Sequence, residues 1–151
     1  MQNNEIANIT VTEIVEKAQV ARASFYRNYS SKENVLIELI HDVLLQQFLN
    51  GRVIDEIEYK SYDHLVRCFE FFKEYKIYVL GLCRCNYATV LLEELNSFHS
   101  AIAGSMPSNS IERYNIYTFI GSLVNTAIAW LKNETYESPE DMAKFFLGTL
   151  K

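Results

Sequence analysis

TVTEIVEKAQVARASFYRNYSSKE, Thr10 to Glu33, decides the fold of this chain. Thr10 is followed three residues later by Glu13, the spacing at which a hydroxyl and a carboxylate cap each other's backbone amides at a helix start. Val11, Ile14, Val15 and Ala18 then recur at i, i+3, i+4 and i+7, one face of a short helix ending near Ala18. The connector Gln19-Val20-Ala21 leads into a second short helix, roughly Arg22 to Tyr29, in which Phe25 and Tyr29 share a face. Ser30-Ser31-Lys32-Glu33 is another capping box. It opens a longer helix with apolar pairs Val35/Leu36, Leu39/Ile40 and Val43/Leu44, then Phe48, before Gly51. Three helices in about fifty residues, two of them short and joined by a tight turn, is helix-turn-helix spacing.

The rest of the chain has a different charge. The 151 residues carry a formal net charge of −5. Met1 to Lys32 holds Lys17, Arg22, Arg27 and Lys32 against Glu5, Glu13 and Glu16, a net of +1, so the remainder carries −6. Local charge, not the total, meets phosphates, and the acid is thinned where the helix-turn-helix lies. Hydrophobic residues at 49% and charged residues at 22% give an ordinary globular composition, and only 5 glycines and 2 prolines interrupt it, which favours long helices. MQNNEIANITV has neither the basic start nor the apolar core of a secretory signal. The longest apolar run, Ile77 to Cys83, is too short to span a bilayer, so a cytoplasmic chain is expected. Cys68, Cys83 and Cys85 are an odd number without disulfide-framework spacing and read as reduced thiols.

The fold class expected is all-α, a head over 1–50 and a larger helical domain over 51–151. Tyr62 to Tyr75 places Leu65, Phe69 and Phe72 at helical spacing, and Lys76 to about Cys83 is a short helix or a bend. Tyr87 to about Ala103 sets Val90, Leu91, Leu95, Phe98 and Ile102 on one side. MPSNS, Met106 to Ser110, is the clearest linker. About Ile111 to Lys132 is apolar over more than one stripe, and Ser138-Pro139-Glu140-Asp141 supplies an N-cap, a first-turn proline and first-turn acids for a last helix.

In a helix-turn-helix the second helix enters the major groove and the first crosses the backbone. The recognition helix needs small residues early, so that its backbone approaches base edges, then donors for guanine or phosphate, and an apolar underside. Arg22-Ala23-Ser24 supplies a donor and two small residues; Phe25 and Tyr29 supply the underside; Tyr26, Arg27 and Asn28 point roughly outward. Lys32 adds a charge at a helix N-terminus, itself an anion site.

Ile9 to Leu36 resembles the DNA-binding domain of the TetR/AcrR transcriptional regulators, whose signature reads approximately I-T-V-x-x-I-A-x-x-A-G-V-S-x-G-T-F-Y-x-H-F-x-S-K-E-x-L. Ile9, Thr10, Val11, Ile14, Ala18, Val20, Phe25, Tyr26, Ser31, Lys32 and Glu33 match it. The helical remainder is similar to the family's effector and dimerisation domain, and Trp130 with the Ser-Pro-Glu cap is similar to its last helix pair. The resemblance implies DNA contacts at Thr12, Arg22, Ala23, Ser24, Tyr26, Arg27, Asn28 and Lys32, with Tyr26 and Lys32 as phosphate binders. It implies a homodimer on double-stranded operator DNA and a small-molecule effector that releases a repressor.

Three departures stand out. Gln19 replaces the usual turn glycine, and Ala21 and Ala23 replace a capping serine and a common glycine, the lost cap being worth about 1 kcal/mol. Only MQNNEIAN precedes the ITV segment, where the family has a full helix, and Met1 to Asn4 reads as its last turn. A head braced by so little is expected to leave Val11, Val15 and Phe25 partly uncovered, and DNA affinity of a chain beginning at Met1 to be poor. The contrasting expectation is a helical ligand-binding or co-regulator module whose head does not touch DNA.

In the body, Phe69, Phe72, Tyr75, Tyr78, Tyr87, Phe98, His99 and Tyr117 are candidates for a pocket wall, although aromatics at helical spacing also serve as plain core. Ile120, Leu123, Val124, Ala127, Ile128, Trp130, Leu131, Met142, Phe145 and Phe146 are the expected dimer seam. Cys83-Arg84-Cys85 has no second cysteine pair, and His64 and His99 are distant from it in sequence, so no metal and no cofactor are expected. Glu93-Glu94 and Glu70/Glu74 lack a companion nucleophile, metal cluster or phosphate loop, and no enzymatic activity is expected.

Overall fold

The computed structural model describes residues 8–50, 52, 57–104, 107 and 110–150, without the side chains of Leu44, Leu45 and Phe48. The reading of Met1 to Asn4 as a helical turn, the roles given to Leu44 and Phe48, and most of the MPSNS linker lie outside the described residues. The described elements are eight helices: α1 (Val11–Ala18), α2 (Arg22–Asn28), α3 (Lys32–Leu49), α4 (Tyr62–Glu74), α5 (Lys76–Arg84), α6 (Ala88–Ile102), α7 (Ile111–Lys132) and α8 (Pro139–Thr149). Among the described residues there is no strand, and no helix is long and apolar enough to cross a membrane.

Hydroxyl caps start most of them. Ser31, Ser61, Ser110 and Ser138 each accept a hydrogen bond from the amide three residues on, and α8 adds Pro139 with Glu140 and Asp141 in its first turn, where acids complement the helix dipole. The segment from Lys76, read as helix or bend, is helix α5. Tyr75 (φ −95°, ψ 19°) ends α4 and begins α5.

The body core forms around α4 and α7. α4 packs chiefly on α8, α6 packs on α7, and α3 leans on α6. Leu65, Cys68, Phe69 and Phe72 of α4 meet Leu91 and Leu95 of α6, and Ile116, Phe119, Ile120 and Leu123 of α7, in one continuous cluster. The Phe69 ring stands edge-on to Trp130 (5.6 Å) and Phe146 (6.3 Å), and Phe119 stands edge-on to Phe146 (5.7 Å). Such aromatic pairs contribute about 0.5–1.5 kcal/mol each beyond the area they bury.

This packing corrects the expected dimer seam. Ile120, Leu123, Val124, Ala127, Trp130, Leu131, Met142 and Phe146 are all buried inside the chain itself, Ile128 is half-buried, and Phe145 alone of the ten is exposed. α7 is apolar on more than one side because α4, α5 and α6 each take part of its circumference. The stripe it leaves to solvent is Tyr114, Thr118, Ser122, Asn125 and Ala129.

Candidate nucleic-acid interface

The head is built as its sequence spacing predicts, with one exception at the turn. Thr10 caps α1 reciprocally: its Oγ1 accepts from the Glu13 amide (3.2 Å), while Glu13 Oε2 accepts from the Thr10 amide (2.7 Å). Those bonds, the backbone one first, hold the Glu13 carboxyl below the usual carboxylate range. The exception is Gln19, which ends α1 in the left-handed region (φ 56°, ψ 39°), so glutamine makes the turn that glycine makes without strain. Its amide reaches back to the Glu16 carbonyl, and that of Val20 to Val15.

α2 then crosses α1 with Phe25 beneath it. Phe25 and Val15 are buried, and Tyr26 and Tyr29 lie 5.3 Å and 5.5 Å from the Phe25 ring. The expectation that Val15 and Phe25 lose cover is therefore corrected; Val11 is half-buried. Ala21 starts α2 with extended backbone and no side-chain cap, as its methyl group dictates.

The polar side chains of α1 and α2 form two small groups on the exposed side. In the first, Arg22 Nη1 donates to Thr12 Oγ1 (3.0 Å), Nη2 donates to Tyr26 Oη (3.5 Å), and the guanidinium lies 5.7 Å from the Tyr26 ring centre. In the second, Arg27 Nη2 donates to Ser24 Oγ (2.9 Å) and Asn28 Nδ2 donates to the Ser24 carbonyl (2.8 Å). Thr12, Arg22, Ala23, Tyr26, Arg27 and Asn28 are exposed, Ser24 half-buried. Seven of the eight expected contacts thus belong to one surface made by two adjacent helices.

Lys32 is the eighth. Its Nζ donates to the Ile9 carbonyl (2.9 Å), which pins the start of α3 against the start of α1. Asn8, Thr10, Tyr26, Ser31 and Lys32 line a shallow cleft of about 370 Å³ where the N-termini of α1 and α3 converge. The positive ends of both helix dipoles meet there, but Glu13 already accepts the Thr10 amide, Ser31 the Asn34 amide, and Glu33 lines the same cleft.

The head is tied to the body through α3. Tyr87, the residue before α6, donates its hydroxyl proton to Glu33 Oε1 (2.8 Å) in the first turn of α3, and His41 lies 3.4 Å from Glu94. Neither pairing is legible in the sequence, because partners more than fifty residues apart carry no spacing signal.

The expected pocket wall does not assemble. Phe69, Phe72, Phe98 and His99 are buried core, Tyr78 and Tyr117 are exposed, and Tyr75 and Tyr87 are half-buried at different places. Aromatics at helical spacing went into the core that the helices needed. Tyr117 alone of the eight lines the largest described cleft, about 550 Å³ between α6 and α7, whose other walls include Glu93, Asn96, Ser97, Ser100 and Arg113. The sequence reading also overlooked His64 and Cys68, four apart and therefore on one face of α4, which meet His99 of α6.

No curated protein and no solved structure matches the chain. The model of the family described as "Bacterial regulatory proteins, tetR family" matches residues 4–39, which take in α1, α2 and the first turns of α3. That match carries with it a helix-turn-helix head and a DNA-binding regulatory role. Over α1, α2 and the first turns of α3, then, the chain carries the helix-turn-helix head described for the tetR family of bacterial regulatory proteins.

Proposed function

We propose that this DNA-binding regulator is a repressor that acts in the cytoplasm as a homodimer on a palindromic operator and is released by a small effector. The observation that carries the reading is the shared exposed surface of α1 and α2. There Thr12, Arg22, Tyr26 and Arg27 stand outward over a buried Phe25. Ala23 and Ser24, at the start of α2, let the helix backbone approach base edges, and Arg22 is placed beside them to read a base. Tyr26 and Arg27 take phosphates, as do Asn28 and Lys32.

Two heads on one duplex need a two-fold axis. Support for a second copy at α7 and α8 is the exposure of Tyr114 and Tyr117 on α7 and of Phe145 on α8. Aromatic side chains are the type enriched where proteins associate. Support for an effector is the α6–α7 cleft. Its walls are about half polar, with Glu93, Asn96, Ser97, Ser100 and Arg113 among them. A polar molecule fits it.

The test is fluorescence anisotropy with DNA from the chain's own upstream region across a salt series. Binding falls steeply with salt, and Arg27→Ala weakens all sequences about equally and lowers the salt slope by about one. Salt-independent binding, or none to any upstream fragment, overturns the proposal.

A further inference from the structure

His64 and His99 are the two buried polar residues of the described chain, at 2% and 0% exposure, and they touch. His64 Nε2 and His99 Nε2 are 2.9 Å apart, and Cys68, one turn along α4 from His64, is buried beside them. One ligand atom from each of the three lies within 4.8 Å of the others. Among the described residues no other group of three metal-ligating side chains comes together in this way.

The two imidazoles suit a metal, while burial pushes the Cys68 thiol up, so its proton leaves only as the metal–sulfur bond forms. His99 Nδ1 is 2.9 Å from the Leu95 carbonyl and donates to it, which fixes the tautomer and leaves Nε2 as a lone pair aimed at His64. A backbone carbonyl holding the far nitrogen is the usual orientation of a metal-binding imidazole. Rings of Tyr59, Phe98 and Phe119 pack around His99 at 6.4, 5.4 and 5.7 Å, so its direction is set by packing as well. Burial keeps both imidazoles neutral, lowering His64 to about 3 and His99 to about 4, so both offer lone pairs at neutral pH.

We propose that His64, Cys68 and His99 bind one soft d10 metal ion, Cu(I) before Zn(II), which ties α4 to α6. Closing the site forms two N–metal bonds and one S–metal bond. The Cys68 thiol proton leaves to solvent, and the one hydrogen of the neutral His64 ring moves from Nε2 to Nδ1. With metal–N near about 2.0 Å and metal–S near about 2.3 Å, ligand atoms sit roughly 3.3–3.8 Å apart. The nitrogens therefore spread by a few tenths of an ångström, and the sulfur closes by up to about one.

Charge and coordination number choose the ion. Cu(I) with one thiolate is neutral in a dry site, whereas Zn(II) leaves a net positive charge beside Arg52 and Arg67, whose fields reach His64. Structural Zn(II) is almost always four-coordinate, and three protein ligands satisfy soft Cu(I).

The test uses the full chain. Cu(I) is titrated anaerobically against bicinchoninate, and Zn(II) against a chromophoric chelator. One equivalent of Cu(I), held with two nitrogens and one sulfur by X-ray absorption, is expected in the wild type and in Cys83→Ser/Cys85→Ser. Cys68→Ala weakens binding by about 100-fold or more, since even outer-shell partners are worth up to that much. If Cys68→Ala does not fold, a Cu(I)–thiolate ultraviolet band in Cys83→Ser/Cys85→Ser decides, because Cys68 is its one remaining thiol. Absence of that band, or loss of Cu(I) with Cys83 and Cys85, overturns the site. Retention of Zn(II) but not Cu(I) overturns the choice of ion.

Discussion

Acid destabilises this fold before its carboxylates titrate, because the two buried imidazoles refuse protons that the unfolded chain accepts. His64 is lowered to about 3, by burial first and then by the nearby His99, Arg52 and Arg67 charges; His99 is lowered to about 4, by burial. In the unfolded chain both return to an ordinary value near 6.5. Above that value neither state is protonated and the pair has no pH dependence. As pH falls from about 6.5 towards the folded values, the unfolded state alone gains protons and stability is lost. Each histidine costs about 2 kcal/mol by pH 5, so the metal-free chain loses about 4 kcal/mol between pH 7.5 and 5.0. The local slope near pH 5 is about 2.5 kcal/mol per pH unit, and the loss is a large part of the 5–15 kcal/mol typical of a domain. Urea unfolding with chelator present, at half-unit steps of pH, measures it. The slope should halve in His64→Leu. A stability change under about 1 kcal/mol across that range, or ordinary titration of both buried rings, would refute the reasoning.

Other perturbations probe the head and its attachment. Gln19→Gly relieves left-handed backbone strain of about 1–2 kcal/mol, partly offset by unfolded-chain entropy, for a net gain of about 0.5–1 kcal/mol in thermal unfolding. Phe25→Ala removes the buried ring under α2 and costs about 3–5 kcal/mol. Because Phe25 lies outside the main cluster, amide exchange should accelerate in α1 and α2 while α4 and α7 stay protected. Tyr87→Phe deletes the bond to Glu33, costing about 1 kcal/mol in urea. It also raises the Glu33 carboxyl towards its ordinary range, though not fully, since its own backbone amide is the larger cause of its lowering.

The local features of the fold were legible. Thr10/Glu13 and Ser138-Pro139 named helix starts that the structure reproduces, because a cap is a contact between residues three apart, while the Ser30/Glu33 box slips by one and Ser31 caps α3 through the Asn34 amide. The helix-turn-helix spacing was legible too, and the tetR match over 4–39 covers it. What failed was partner choice. The apolar stripes of α7 were visible, but whether α4, α6 or a second chain covers them depends on helix crossings that periodicity does not encode. His64 and Cys68 carried half of a signal, the shared helical face, and His99 completes it only once α6 is in place. Lys32 was read as a phosphate binder at a helix N-terminus, and its turn towards the Ile9 carbonyl follows from a meeting of two helix ends.

α3 has 18 residues and spans about 27 Å, starting in a segment of charge +1 and running into a remainder of −6. That rod makes the ionic atmosphere a ruler. At about 0.01 M salt the screening length is roughly 30 Å, longer than α3, and a duplex senses both ends, so the acidic mass retards approach. At about 0.1 M it is roughly 10 Å, and phosphates sense whichever end is nearest. Encounter is then productive only head first, and association, unlike affinity, passes through a maximum as salt is raised.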